Sequence, residues 1–240
     1  MHSPFVFEFI TKILNDKNDY PEYEKVESLR RQLLNDNVIL EVEDFGAGSV
    51  IDKKDKRSIS SIAKNAAKPR KFGQLLFRMV KHYQPATILE IGTSLGITTS
   101  YLSLANPGGK LITIEGSGEI ADVAKQNFKT TGLKNVESIE GNFDHTLASV
   151  VRGLSTVDFS FIDGNHRQEP TERYFKEILT KTNNNSVLVF DDIHWSREME
   201  LAWETIKNDT AVKCSIDLFF IGIVFFRKEF KEKQHFSIRF

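Results

Sequence analysis

From residue 87 onward, short apolar runs alternate with segments of helical periodicity. The pattern predicts strands at 87–92, 110–115, 136–140, 157–163, 186–191, 211–217 and 219–227. Helices fit between them at about 95–106, 117–131, 143–152, 171–181 and 196–208. Such alternation predicts an α/β fold, a doubly wound and mostly parallel sheet with helices on both faces. The last two strands lie too close in sequence for a helical crossover and must pair antiparallel. The upstream third is helical. Ser3-Pro4 opens a segment with Phe5, Phe9, Ile10, Ile13 and Leu14 on one face, and Pro21 opens a second helix over 21–35. A third, from about residue 73 to 83, carries Leu75, Leu76, Met79 and Val80. These apolar faces suit core packing or a cap over a ligand site. Residues 1–69 therefore read as an N-terminal helical extension or cap, and residues 70–240 as the α/β domain.

One upstream segment mimics a strand entering a glycine turn: Val38-Ile39-Leu40-Glu41-Val42 leading to Gly46 and Gly48. The following Asp52-Lys53-Lys54-Asp55-Lys56-Arg57 has no apolar stripe, so it cannot pack as a crossover helix. Residues 41–57 are accordingly expected to be a charged, mobile connection.

Composition narrows the function classes. At 240 residues the chain is long enough for one domain plus an extension. Lys and Arg number 32 against 33 Asp and Glu, and a net charge of −1 offers no electrostatic footprint for nucleic acid. A single cysteine, Cys214, excludes an internal disulfide and suits a reducing compartment. The first residues lack a basic region, and Glu8 and Lys12 interrupt their apolar run, so no signal peptide is expected. The longest apolar run, 218–226, is too short to span a bilayer and reads as a buried strand. A soluble, cytoplasmic protein is the expectation.

The richest stretch chemically is 87–97, Thr-Ile-Leu-Glu-Ile-Gly-Thr-Ser-Leu-Gly-Ile. A strand, a glycine turn and a helix make a half-site for an adenosine-type cofactor, because the turn lets a ligand approach the main chain. The dinucleotide spacing is absent, since Ser94 and Ile97 stand where glycines would be needed. Glu90-x-Gly92-x-x-x-Gly96 instead resembles motif I of the class I S-adenosylmethionine-dependent methyltransferases. The resemblance covers about 70–227 and implies a Rossmann-like, seven-stranded, mostly parallel sheet with an antiparallel last strand. It also implies that Glu90, Gly92, Thr93 and Ser94 hold the methionine part of the cofactor.

Other strand ends carry matching chemistry. Glu115-Gly116 ends the second strand, where a carboxylate can accept two hydrogen bonds from a ribose. Gly141-Asn142-Phe143 ends the third and resembles the family segment that frames adenine. Asn142 would bond the base and Phe143 stack on it, or Asn142 would simply cap a helix.

The fourth strand runs into Asp163-Gly164-Asn165-His166 and the fifth into Asp191-Asp192-Ile193-His194-Trp195. Neighbouring strands lie about 4.8 Å apart, so these carboxylates can converge, and they repel unless a cation joins them. Oxygen ligands select Mg²⁺, with Mn²⁺ or Ca²⁺ as substitutes. This arrangement resembles the cation-dependent O-methyltransferases of the catechol and caffeoyl-CoA type. Asp163 and Asp191 match two aspartate ligands, and Asp192 stands where the family has Asn. His166 stands at the place of the general-base lysine and suits proton transfer near neutral pH. Asp163, Asp191 and Asp192 are therefore the expected metal ligands, and Asp163 with His166 the expected catalytic pair. Alternatively, Asp163-Gly164 is a plain turn and the Asp pair a helix cap.

The resemblance implies methyl transfer from S-adenosylmethionine to a small-molecule acceptor, most simply at a hydroxyl oxygen, with Mg²⁺ as a second cofactor. Two alternatives stay open: a non-catalytic cofactor-binding relative, or a metal-independent N-methyltransferase. The expected partner is the small-molecule acceptor, with no nucleic acid and no membrane; a homodimer stays open. His194 and Trp195 are expected to line the substrate mouth, and Trp203 to be core.

Overall fold

A computed structural model of the chain describes residues 3–43 and 54–240. The first two helices are α1 (Pro4–Phe9), which widens into a π-helical turn over Ile10–Leu14, and α2 (Pro21–Leu34). Both open with the expected proline in the first turn, where a missing N–H costs nothing. Strands β1 (Ile39–Glu43) and β2 (Lys54–Ser58) follow, then helices α3 (Ile59–Asn65) and α4 (Arg70–Tyr83). The α/β part continues as β3 (Thr87–Ile91), α5 (Ile97–Ala105), β4 (Lys110–Glu115), α6 (Gly118–Thr130), β5 (Val136–Glu140) and α7 (Phe143–Gly153). It ends with β6 (Phe159–Ile162), α8 (Gln168–Leu179), β7 (Val187–Asp191), α9 (Arg197–Asn208), β8 (Cys214–Asp217), β9 (Ile221–Phe225) and β10 (Gln234–Ser237).

The main sheet has the spatial order β10-β8-β9-β7-β6-β3-β4-β5. Only β9 runs against its neighbours, pairing antiparallel with β7 and β8. The predicted doubly wound sheet and its closing hairpin are both present. An eighth strand is added at the edge, where β10 pairs parallel to β8. Its sequence, Gln-His-Phe-Ser, is short and half-exposed, too weakly alternating to be read in advance. Among the described residues, no helix is long and apolar enough to cross a membrane.

Strand residues alternate between two apolar layers. Ile88, Leu111, Phe159, Phe161, Val187 and Val189 face a cluster shared with α1, α2, α4 and α5. Leu89, Ile91, Ile112, Ile114, Leu188 and Phe190 face α7, α8 and α9, where Trp203 is fully buried as expected. Polar ties anchor the N-terminal helices. Glu27 Oε1 accepts hydrogen bonds from the Tyr101 hydroxyl (2.8 Å) and from Arg30 Nε (3.1 Å), and Arg78 Nε donates to the Ile13 carbonyl (2.7 Å). Between the core and cap readings of these three apolar faces, the packing decides for core.

The segment expected to be a mobile charged connection is partly ordered. Residues 41–43 and 54–57 belong to the antiparallel hairpin of β1 and β2, with Leu40 opposite Arg57. Leu40 and Val42 are buried, which a tally of charges along 41–57 overlooks. The Glu41 N–H donates to Glu119 Oε2 (2.6 Å), fastening the hairpin to the start of α6. Gly46, Gly48 and Asp52 lie outside the described residues. Helix α3, also absent from the sequence reading, begins where Ser58 caps the Ser61 N–H at 3.1 Å.

Candidate active site

The chain leaves β3 toward β4 and β5, then returns to place β6 on the other side of β3. That reversal opens a crevice beyond the carboxyl ends of the strands, where open α/β sheets bind ligands. A cavity of about 530 Å³ occupies it. Its floor is Gly92, Ser94, Glu115, Gly116, Phe143, Asp163, His166 and Asp192, and its roof is Val42, Arg57, Ser61, Ile62, Asn65 and Lys68. The cap therefore comes from the β1–β2 hairpin, α3 and the connection into α4.

Gly92 was expected to be glycine to make room for a cofactor. The structure adds a packing reason for glycine at this place. With φ at +95°, a Cβ here would lie 2.1 Å from the Asp163 carbonyl oxygen. That closeness follows from the parallel pairing of β3 and β6, whose ends are tied by the Asp163 N–H donating to the Ile91 carbonyl at 2.9 Å. Three loop residues at the strand ends also adopt left-handed backbone: Ser94 (φ 48°), Asn165 (φ 53°) and Asp192 (φ 52°). Such conformations persist only where surrounding structure enforces them, and they gather at functional sites.

Two glutamates stand at the ends of β3 and β4. Glu115 Oε2 accepts the Ser94 N–H at 2.8 Å, and Oε1 accepts the Ser117 N–H at 3.1 Å. These bonds hold the carboxylate in place, while burial raises its pKa above the usual carboxylate range. Glu90 lies deeper and is fully buried. Its Oε2 accepts hydroxyl hydrogen bonds from Thr99 and Thr113, both at 2.6 Å, and Oε1 has no partner among the described residues. Burial pushes the Glu90 pKa up to about 8, and the two threonine hydroxyls only partly oppose it. Thr93 is also buried, with its hydroxyl 2.6 Å from that of Thr113.

Around the ends of β6 and β7, Asp163, His166 and Asp191 each offer a ligand atom within 4.8 Å of the others. His166 Nε2 stands 3.4 Å from Asp163 Oδ1. Burial pulls the imidazole pKa down, but the Asp163 hydrogen bond and charge, with Asp192, outweigh it and leave a net rise. Asp191 is buried and would be an isolated carboxylate but for Lys68, whose ammonium forms an ion pair with Asp191 Oδ2. The same ammonium lies 3.5 Å from Asp192 Oδ1. A left-handed backbone, allowed to Asp and Asn more readily than to most residues, turns Asp192 off the strand direction. Its N–H is held by the Phe220 carbonyl at 2.7 Å.

The expected metal set is thus altered. Asp163 and Asp191 converge, but Asp192 turns to Lys68 and is replaced in the cluster by His166. Other expected residues divide likewise. Asn142 uses its side-chain oxygen to cap α7 through the Asp144 N–H at 2.8 Å, and neither it nor Gly141 lines the cavity. Phe143 does line it. His194 and Trp195 stand away from this cavity: His194 Nε2 pairs with Asp217 Oδ2 at 2.9 Å and stacks on Phe219, and Trp195 is exposed. Lys68, Ser61 and Asn65 were missed, because nothing in the run Asn65-Ala-Ala-Lys68-Pro69 marks it as facing a strand end that lies more than a hundred residues onward.

Residues 89–193 match the family model described as "Methyltransferase domain". Over that stretch, a little under half of its length, the chain is similar to methyltransferase domains. Catechol O-methyltransferase of Niastella koreensis is 32% identical over 126 residues, 51% of this chain and 55% of that one. Catechol O-methyltransferase of Mycobacterium tuberculosis is 27% identical over 153 residues, 63% and 66% of the two chains. The matched part thus spans little more than half the length of the first of these relatives. The O-methyltransferase TomG of Streptomyces achromogenes, solved with SAM, superposes with a TM-score of 0.63 at 20% identity, covering 92% of this chain and 96% of TomG. An O-methyltransferase of Bacillus cereus, solved with SAH, gives 0.58 at 20% identity, covering 92% and 97%. At such identities the solved structures establish the fold, and the chemistry of this chain rests on its own residues.

Proposed function

We propose that the protein transfers the methyl group of S-adenosylmethionine to a hydroxyl oxygen of a small-molecule acceptor. The observation that carries this reading is one cavity with a held carboxylate, Glu115, at one end and the His166–Asp163 pair at the other. Glu115 accepts the ribose hydroxyls, with Ser94 and Gly116 beside it, and Phe143 offers a face to the adenine. Glu90, fully buried behind the turn, accepts from Thr99 and Thr113 and braces the end of β3.

The methyl of a sulfonium is already activated, so the protein's task is alignment and exclusion of water. An acceptor oxygen beneath the hairpin and α3 roof attacks in line with the carbon–sulfur bond. The O–C bond forms as the C–S bond breaks, and the hydroxyl proton passes to the His166 imidazole. Asp163 orients that ring and stabilises its charged form, as an acid beside a base does.

A divalent cation does not fit these residues well. The Lys68 ammonium stands on Asp191, and an ion would have to displace it. The reaction is therefore drawn without a metal.

Calorimetric titration with S-adenosylhomocysteine tests the reading. Glu115→Ala should weaken binding by about 1.5–3 kcal/mol, the worth of charged hydrogen bonds to the ribose. Labelled methyl transfer to a panel of phenols and sugar hydroxyls then seeks the acceptor. No binding of the nucleoside by the parent protein would end the proposal.

A further inference from the structure

We infer that Lys68 is the resident cation of this site, standing in place of the divalent ion that the aspartate pattern suggests. Three carboxylates meet at the ends of β6 and β7, and their repulsion has to be offset by positive charge. Lys68 supplies it at the deepest point. Asp191 is buried, so leaving its carboxylate without a charged partner would carry a heavy desolvation cost. Its Oδ2 is taken by the Lys68 ammonium, and Asp192 Oδ1 lies 3.5 Å from the same nitrogen.

The backbone commits the lysine to this place. Lys68 precedes Pro69, which restricts it to extended conformations and points the chain into α4. The side chain is itself mostly buried, at 14% exposure, so it is not a surface lysine that happens to swing inward. Lys68 thus offsets part of the charge of the three carboxylates and occupies the place on Asp191 that an ion would need.

The ammonium has three N–H donors and lines the cavity, so a donor is available to an acceptor oxygen. This part of the inference rests on the methyl-transfer reading. In that reading Lys68 positions the oxygen and steadies its developing negative charge, the role a bound metal would have played.

Mn²⁺ binding, read by the loss of the free-ion electron paramagnetic resonance signal, tests the assignment directly. The parent protein should leave Mn²⁺ free, and its affinity for S-adenosylhomocysteine should not change with chelator. Lys68→Met should gain Mn²⁺ affinity by on the order of a hundredfold or more, since the ion no longer displaces a buried ammonium. That gain should vanish in Lys68→Met with Asp191→Asn. Parent protein that binds Mn²⁺ and loses it on Asp191→Asn would overturn the assignment. So would a Lys68→Met protein that keeps its S-adenosylhomocysteine affinity, and hence its fold, yet gains no metal. Failure of the nucleoside to bind the parent protein would instead sink the methyl-transfer reading, and the Mn²⁺ result would stand apart from it.

Discussion

Glu90→Gln should change how stability depends on pH. Glu90 is fully buried, and its pKa is raised from 4.5 to about 8. The protonated acid is therefore the form that the folded protein prefers. Its contribution to stability is fully present below pH 4.5 and is lost as pH rises through about 8. Each pH unit in that window costs about 1.4 kcal/mol, so the whole rise corresponds to about 5 kcal/mol. Glutamine cannot ionise, and its amide oxygen can keep the hydrogen bonds from Thr99 and Thr113. Urea unfolding of the cofactor-free proteins at several pH values from 5 to 9 reads the effect. Glu90→Gln should be close to the parent at the acid end and clearly more stable at the alkaline end. Other buried acids, such as Glu115, are common to both proteins and largely cancel in the difference. Two stability curves that stay parallel across the range would refute the argument. They would mean that Glu90 is ionised in the folded state throughout, with a charge partner that the geometry does not provide.

Gly92→Ala should destabilise the fold by on the order of 3–5 kcal/mol, adding backbone strain at φ +95° to a Cβ that would lie 2.1 Å from the Asp163 carbonyl. Urea unfolding measures it; native-like stability with lost cofactor affinity would return Gly92 to the role of ligand spacer. Gly222→Ala, near the start of β9, places a Cβ 2.7 Å from the buried Trp203 ring and should cost about 1–3 kcal/mol by thermal melting. An unchanged melting temperature would show that the indole can move aside.

Local pattern determined much of this protein. The period of the apolar runs set the strand and helix order from β3 to β9, because each element must bury one face whatever its neighbours are. Glu90, Gly92 and Glu115 were legible because a glycine turn and an acid at a strand end are short-range features. Asp163 and Asp191 could be brought together on paper, since parallel strands have a known spacing. What lay beyond the sequence depended on distance along the chain. The Lys68–Asp191 pair joins a helix-entry loop to a strand end 123 positions away, so no local rule could place the ammonium there. Gly92 is required by the Asp163 backbone, a contact made only when β6 returns beside β3. The β1–β2 hairpin and α3 form the roof because Leu40 and Val42 find burial beside α6, which outweighs the charge of the intervening sequence. Asn142 was ambiguous between base contact and cap, and the start of α7 decided it, since the first free N–H groups of a helix claim the nearest oxygen. The sequence wrote the strand ends; packing chose which charges meet there.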